Sequence, residues 1–222
     1  MPVHLQREIE NLKKQLLSLG AIVETAVREA TLSIENRDYD LAQKTINNDP
    51  QIDQFEVEVE EDCLKMLALY QPVAIDLRFI VAALKINNDL ERIGDLAVNI
   101  AERSAFLASQ PKVALTFDFV GMARYAQSML KRSLDALVNL DAGLAQRVCA
   151  DDDKIDDMNR QVYVKIEDAL KESPIHIASL IHLLSVSRHL ERIADHATNI
   201  AEDVIYMIEG KIARHRTEDY KS

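Results

Sequence analysis

Four pairs of acidic residues, each spaced four positions apart, are the side chains of this sequence best placed to do chemistry. The pairs are Asp49 with Asp53, Glu91 with Asp95, Asp152 with Asp156, and Glu191 with Asp195. Residues four apart share one face of a helix, so each pair presents two carboxylates together. Like charges at this spacing destabilise an isolated helix by about 0.2–0.5 kcal/mol, and a cation shared by facing pairs would reverse that sign. Carboxylate oxygens suit Mg²⁺, Mn²⁺ and iron, so the pattern predicts faces that bind divalent or trivalent metal ions (iron, Mn or Mg).

An internal duplication repeats these acidic pairs. Residues 90–102, LERIGDLAVNIAE, return as residues 190–202, LERIADHATNIAE, with ten of thirteen positions identical. The first acidic pair recurs at an offset of 103 residues, against 100 in this segment. Helix packing explains why the apolar residues recur, but it does not explain a recurring carboxylate stripe. The duplication therefore favours metal binding over the alternative that these carboxylates are only the solvated faces of acidic helices.

The two carboxylate stripes continue along the same helical faces to further oxygen ligands. These additional candidates are Asn99, Glu102, Asn199 and Glu202. A third interpretation stays open beside the two above. Arg92 and Arg192 would pair with the carboxylates in a purely structural network, and the protein would then be a scaffold without metal.

Three histidines spaced by seven residues, His182, His189 and His196, form a separate stripe. Their first-half counterparts are not histidines, so a function common to both halves does not need them. We interpret them as surface or helix-contact residues, with His196 kept as an accessory candidate because it adjoins Asp195. The sequence contains no nucleophile motif, no glycine-rich phosphate loop and no E-x-x-H pair in both halves. It therefore predicts a protein that is not an enzyme, the alternative being a di-metal carboxylate (di-iron-like) helical-bundle enzyme.

Composition and charge restrict the partners. The 222 residues carry a formal net charge of −11, and such a surface repels phosphate backbones, so we expect no nucleic-acid partner. No apolar run approaches the roughly 20 residues of a membrane helix, so no direct membrane insertion is expected. The start of the chain lacks the apolar core of a signal peptide. The two cysteines do not match within the repeat and are expected to be free thiols in a reducing compartment, the cytoplasm.

Apolar residues recur every three or four positions along most of the chain, and no useful length alternates with a period of two. This periodicity predicts an all-α fold with helices at residues 5–36, 40–70, 74–109, 119–139, 144–171 and 175–209. Asp38 or Asp40 is expected to cap the second helix, and Pro50 to kink or restart it. Helices of about 30 residues span about 45 Å and must pack side by side. With the duplication, they predict two tandem three-helix bundles at residues 1–110 and 111–210, followed by a polar tail at residues 211–222.

The duplicated acidic motifs and their surroundings resemble the PhoU family, the accessory proteins of phosphate-specific transport systems. The resemblance runs from end to end of the chain and combines duplication, length and motif placement. It is carried by LGAIVETAV, LYQPVAIDLRFIVAALKINNDLERIGD and ERIADHATNIAED, with the four acidic pairs at the family's E/D-x-x-x-D positions. The resemblance implies a PhoU-like, spectrin-like six-helix architecture, metal clusters at the paired motifs, and a homodimer.

The same resemblance implies a function. A protein of this kind is expected to be a cytoplasmic negative regulator of phosphate uptake and of the phosphate-starvation (Pho) regulon. It would act as an adaptor between the ATPase subunit of the phosphate ABC transporter and the sensor histidine kinase of the phosphate response. When phosphate is plentiful, it would favour the phosphatase state of that kinase.

Overall fold

Six long helices make up the computed structural model, which describes residues 3–172 and 174–210. The helices are α1 Val3–Asn36, α2 Tyr39–Tyr70, α3 Ala74–Ala108, α4 Phe119–Asn139, α5 Ala142–Glu172 and α6 Ile177–Glu209, with a 3₁₀ turn at Pro174–His176 before α6. Strands are absent from these two described ranges, and the predicted all-α fold is confirmed. None of the helices in the described ranges is long and apolar enough to cross a bilayer. The predicted polar tail, residues 211–222, lies outside the described residues.

The first two helices of each half are joined by the same kind of turn. Arg37 and Leu140, which are 103 residues apart, have left-handed φ angles of 54° and 53°. The following residues, Asp38 and Asp141, each accept a hydrogen bond from the backbone N–H three positions later, at 2.9 Å in both halves. A side-chain oxygen on a first-turn N–H is a helix cap. The prediction that Asp38 caps α2 is therefore confirmed, and Asp141 is its counterpart in α5.

Helix α2 continues without interruption through Pro50. Of the two outcomes expected at Pro50, a restart of the helix is therefore wrong, and a kink stays a prediction. Proline removes one backbone hydrogen bond and crowds the preceding turn, which favours a break. Pro50 lies on the exposed side of α2, so its ring does not interrupt the packed face of the helix. Continuity at Pro50 keeps Asp49 and Asp53 on one helical face.

Helices α1 to α3 form one bundle, helices α4 to α6 form the other, and the bundles meet along α3 with α6 and α1 with α4. Helices α3 and α6 are antiparallel. Arg78 Nε donates to the backbone carbonyl of Met207 at 3.0 Å near one end of the pair, and the rings of Phe106 and His182 stack 3.9 Å apart near the other. The buried side chains of both bundles form one continuous core. In this arrangement α2 and α5 lie on the flanks, each against α3 or α6.

Candidate functional site

In each bundle the two acidic pairs lie beside a close contact between neighbouring helices. In the first bundle Ile52, between the two aspartates of α2, packs against Gly94, between the acidic residues of α3. A Cβ on Gly94 would stand 3.0 Å from Ile52 Cδ1 and 3.1 Å from its Cγ2, so a side chain here would make the neighbour give way. In the second bundle the buried residues Ile155 and Ala194 hold the corresponding positions. Small residues on α3 and α6 thus let the acidic faces of the paired helices approach each other.

The facing carboxylates of the first bundle disfavour one another's charged form. Burial raises the pKa of Asp49, and the negative charges of Asp53 on its own helix and Asp95 on α3 raise it further. Burial likewise raises the pKa of Glu91, with Asp95 and, across the helix pair, Asp53 adding to it and the Arg92 charge opposing it. These effects run between α2 and α3 in both directions. The acidic faces of α2 and α3 in this half therefore lie close enough for their charges to influence one another.

The second bundle repeats this arrangement, with a stronger perturbation at Asp195. The pKa of Asp195 rises from its ordinary 3.8 to about 6. Desolvation by the surrounding protein contributes most, although part of the residue reaches water, and the charges of Glu191, Asp152 and Asp156 follow, opposed by His196. The pKa of Glu191 is raised as well, by burial first and then by Asp156. The four predicted ligands of this half thus also lie together.

The arginine–carboxylate pairing expected of a purely structural network is present in part in the first bundle, at Arg92. Arg92 Nη1 donates to Asp95 Oδ2 at 3.2 Å, and its Nε lies 3.5 Å from Glu91 Oε2 without a hydrogen bond. The arginine side chain is 54% exposed. Exposed pairs at this spacing contribute only a few tenths of a kcal/mol, about 0.2–0.5. This contact therefore contributes little to the stability of the acidic face.

The four predicted carboxylate ligands of each bundle, its acidic set, do not surround a common point. Within residues 3–172 and 174–210, no three side chains of histidine, cysteine, aspartate or glutamate are arranged to hold one metal ion. In each bundle, four carboxylates lie on the facing sides of two neighbouring helices. Repulsion between their like charges opposes the convergence of these side chains on one point. Metal binding at the eight predicted ligands stays a prediction, and it requires the side chains to close around the ion.

The four additional oxygen candidates have other contacts. Asn99 Nδ2 donates to the backbone carbonyl of Asp95 at 2.8 Å, and Glu102 pairs with the neighbouring Arg103 at 3.3 Å. Asn199 Nδ2 points across the bundle interface to Asp89 Oδ1, at 3.5 Å. Glu202 lines a cleft of about 550 Å³ between α3 and α6. The helical stripe curves away from the acidic sets by these positions, because a four-residue step advances about 40° further around the helix each time.

The histidines are helix contacts, as interpreted from the sequence. His196 Nδ1 lies 2.7 Å from Asp89 Oδ1, and both side chains are mostly buried where α6 crosses α3. His182 stacks on Phe106 of α3. The burial of His189 lowers its pKa to about 4, and surrounding arginines add to this, so it is neutral near pH 7. These three residues join the two bundles and stand apart from the acidic sets, except that His196 is close enough to Asp195 to lower its pKa.

Two polar residues beside the acidic set of the first bundle were not predicted as ligands. Asn87 Nδ2 donates to the backbone carbonyl of Glu56 at 2.8 Å and to its Oε1 at 3.3 Å. Glu56 lies one turn after Asp53, and Asn87 one turn before Glu91, so each continues an acidic stripe. Their second-half counterparts at the same offsets are Asn159 and Ser187, and for this reason the repeat does not point to them.

Known proteins match this chain over nearly its whole length. A family model described as the PhoU domain matches residues 16–104 and again residues 119–204, one match in each bundle. The phosphate-specific transport system accessory protein PhoU homolog of Aquifex aeolicus (strain VF5) is 39% identical over 212 residues, covering 96% of each chain. The homolog of the same name from Caulobacter vibrioides (strain NA1000 / CB15N) is 37% identical over 205 residues, covering 92% of this chain and 89% of that one.

Solved structures give the same result for the fold. The crystal structure of PhoU from Pseudomonas aeruginosa matches with a TM-score of 0.88 at 35% identity, covering 93% of this chain and 99% of that chain. The phosphate transport system regulatory protein PhoU from Streptococcus pneumoniae also matches with a TM-score of 0.88, at 29% identity, covering 94% and 98%. The two-bundle architecture is therefore shared along the whole of both relatives.

Proposed function

Because the chain belongs to the PhoU family, we propose that it is a cytoplasmic negative regulator of phosphate uptake and of the phosphate-starvation (Pho) regulon. The relatives named above are accessory and regulatory proteins of phosphate transport systems. The observation that carries the proposal is the match of a PhoU domain to each bundle, together with the acidic face that each of those bundles repeats.

The protein acts as an adaptor between the ATPase subunit of the phosphate ABC transporter and the sensor histidine kinase of the phosphate response. A partner shifts an equilibrium only by its differential affinity for the two states. In rich phosphate the adaptor binds the phosphatase state of the kinase more tightly and so populates it. An adaptor of this kind needs contact surface beyond its own core. Exposed apolar side chains at the connection into α3, including Val73 and Ile75, and at the connection into α6, including Ile175 and Ile177, support this role.

The acidic faces bind divalent or trivalent metal ions, with iron, Mn and Mg as the candidates. The donor set fits such ions, because it is made of carboxylate oxygens, the ligands that hard cations prefer. The pKa values of Asp49, Glu91, Glu191 and Asp195 are raised first by burial and then by neighbouring carboxylates, and this supports the proposal because a bound cation would stabilise the charged forms that both effects disfavour. Glu91 Oε2 is buried and accepts no hydrogen bond, with Arg92 Nε 3.5 Å away, so a metal ion would give this oxygen a direct partner.

The alternative of a di-metal carboxylate enzyme has less support. Such bundle enzymes take a histidine with the carboxylates of each site. Here the histidine next to Asp195, His196, is paired with Asp89 across the bundle interface. The first bundle has Leu96 at the corresponding position. The regulatory proposal needs no histidine and applies equally to both halves.

Deletion of the gene tests the regulatory proposal. In medium rich in phosphate, a reporter of a phosphate-starvation promoter should switch on in the deletion strain and return to its wild-type level on complementation. An Asp95→Ala, Asp195→Ala double variant shows whether the acidic faces contribute, and Asp157→Asn, an exposed charge change on α5, is the matched control. A deletion strain whose reporter stays off would refute the regulatory proposal.

Metal analysis tests the acidic faces, and light scattering tests the oligomer. Protein purified without chelators should carry iron, Mn or Mg, and Asp95→Ala with Asp195→Ala should lower that content. Unchanged metal content in the double variant would show that the ions sit elsewhere. A homodimer is also proposed, and a molar mass of one chain at micromolar concentration would exclude it.

A further inference from the structure

An apolar groove lies at the end of the molecule where α1 and α3 begin and α6 ends. Its volume is about 190 Å³, and its wall comes from these three helices and from the turn between α4 and α5. The apolar residues that line it are Ile9, Ile75, Phe79, Leu140 and Met207. Two of them, Ile75 and Leu140, are 47% and 45% exposed. Exposed apolar surface with a polar rim marks a contact site.

Acidic side chains stand on the rim of this groove. Glu10 and Asp76 line it together with one basic residue, Lys13. Lys13 Nζ is held 2.8 Å from Glu10 Oε1 and lies 5.7 Å from the centroid of the Phe79 ring. The side chain of Glu10 is still 55% exposed, so its charge can attract a further basic group. A segment that combines an apolar side chain with basic residues therefore matches the groove.

Helix α6 ends beside the groove. Gly210 has a left-handed φ of 71°, which glycine adopts without steric cost, and its N–H donates to the carbonyl of Tyr206 at 2.8 Å. Arg78, the neighbour of Phe79, fixes this helix end. Its Nε donates to the carbonyl of Met207 at 3.0 Å, and a Cβ on Gly210 would stand 3.8 Å from its Nη1. The chain beyond Gly210 therefore starts about one helical turn, roughly 5 Å, from Met207 in the groove wall.

The sequence beyond Gly210 combines the two features that match the groove. Residues 211–216 read KIARHR, in which Ile212 is the large apolar side chain. The same six residues contain no acidic side chain, and their basic ones are Lys211, Arg214 and Arg216. The whole chain has a net charge of −11, so it attracts a basic segment. Two extended residues span about 7 Å, which is enough for Ile212 to reach the groove from Gly210.

We propose that residues 211–216 bind in this groove of their own chain, with Ile212 in the apolar floor and the basic side chains toward Glu10 and Asp76. A short flexible connection gives an effective concentration of about 1 mM, so a contact with a Kd of about 0.1 mM is filled about ten times as often as it is empty. The bound segment covers Ile75, part of the exposed apolar surface at the connection into α3. A partner that uses this surface must displace the segment, which is therefore autoinhibitory.

Thiol labelling of the full-length protein tests this contact. Ile75→Cys places a reactive thiol on the groove wall. Ile177→Cys is the matched control, because Ile177 is 52% exposed and lies at the opposite end of the α3 and α6 pair. The native thiols of Cys63 and Cys149 are buried, so a maleimide reports on the added thiol.

Each thiol is measured with the native residues 211–216 and with Ile212→Asp, Arg214→Glu and Arg216→Glu together, and circular dichroism checks that the variants remain helical. The thiol of Ile75→Cys should react about tenfold faster when these residues are altered, which is the occupancy expected from tethering. The rate at Ile177→Cys should not change. Lys221→Glu, a charge change beyond the proposed segment, should leave both rates as they are.

The outcomes separate the possible occupants of the groove. Equal rates at Ile75→Cys with native and altered residues would overturn the proposal and leave the groove to a separate partner. Protection that grows between about 1 µM and about 100 µM protein would also overturn it and assign the groove to a second copy, because a contact within one chain does not depend on concentration. An equal acceleration at Ile177→Cys would show general loosening and overturn it as well. The labelling uses purified protein alone, so its result is independent of the reporter assay for the regulatory proposal.

Discussion

Replacing Asp195 by asparagine should stabilise the metal-free protein and weaken its response to metal. The pKa of this carboxyl rises from 3.8 to about 6 in the folded chain. At about 1.4 kcal/mol per unit of pKa, a fully desolvated carboxylate with this pKa would destabilise the folded protein by about 3 kcal/mol at neutral pH. Asp195 is partly exposed, and solvent screening reduces this to about 1 kcal/mol. Asparagine has nearly the same shape without the charge, so it should remove that penalty.

Thermal unfolding followed by circular dichroism at pH 7.5 measures the effect. In chelator, Asp195→Asn should unfold about 2–4 °C above the wild type, the shift that 1 kcal/mol produces in a chain of this size. With saturating Mn²⁺ the order should reverse, because a ligand stabilises the folded state by RT ln(1 + [L]/Kd) and the variant, which has lost a ligand oxygen, binds with a larger Kd. Asp157→Asn, whose side chain is 62% exposed, removes the same charge outside the acidic set and should change little in either condition.

Two results would refute this reasoning. An Asp195→Asn protein that is less stable than the wild type in chelator would show that the carboxylate is favourably bound by its surroundings and is not repelled by its neighbours. Equal shifts in Asp195→Asn and Asp157→Asn would show a general response to net charge.

Further predictions concern pH, packing and the thiols. Because the folded pKa of Asp195 is raised, the folded wild type binds its proton more strongly than the unfolded chain does, so this group's contribution to stability falls as pH rises from about 4 to about 6. Urea unfolding should therefore show no difference between wild type and Asp195→Asn below about pH 4 and the full difference above about pH 6, whereas a difference that persists at pH 3.5 would contradict the assignment. Gly94→Ala should destabilise the protein by about 1 kcal/mol in urea unfolding, since crowding against Ile52 costs about 1–3 kcal/mol and the helix propensity of alanine offsets about 1 kcal/mol of it. Adding Ile52→Val should recover part of the lost stability. No recovery would show that the contact is not the cause. Cys63 and Cys149 are buried free thiols, and burial raises the pKa of each to about 12. Neither should therefore react with a disulfide reagent at pH 8 until the protein is unfolded. Rapid labelling of the native protein would show that the core opens at these helices.

Features that depend on local spacing could be predicted from the sequence alone. The helix bounds follow from apolar residues every three or four positions, and the α4 range, residues 119–139, agrees with the structure at both ends. The cap at Asp38 and the shared face of each acidic pair are also local, since both are set within one or two turns of a single helix. The duplication adds the count of two bundles. However, the duplication reveals only positions at which the two halves carry similar residues. It does not point to positions such as Glu56 and Asn159, where the halves differ.

Contacts between helices could not be read from spacing, because the rotation and direction of one helix against another depend on how whole surfaces pack. The close contact of Gly94 with Ile52 turns the acidic stripe of α3 toward α2. The antiparallel crossing of α3 and α6 takes Asn199 away from the acidic set and toward Asp89 of the other bundle. Pro50 lies within a continuous helix with its ring on the exposed side, and that side is known only once α2 is packed. Periodicity along one helix thus determines which side chains share a face, and packing between helices determines what that face meets.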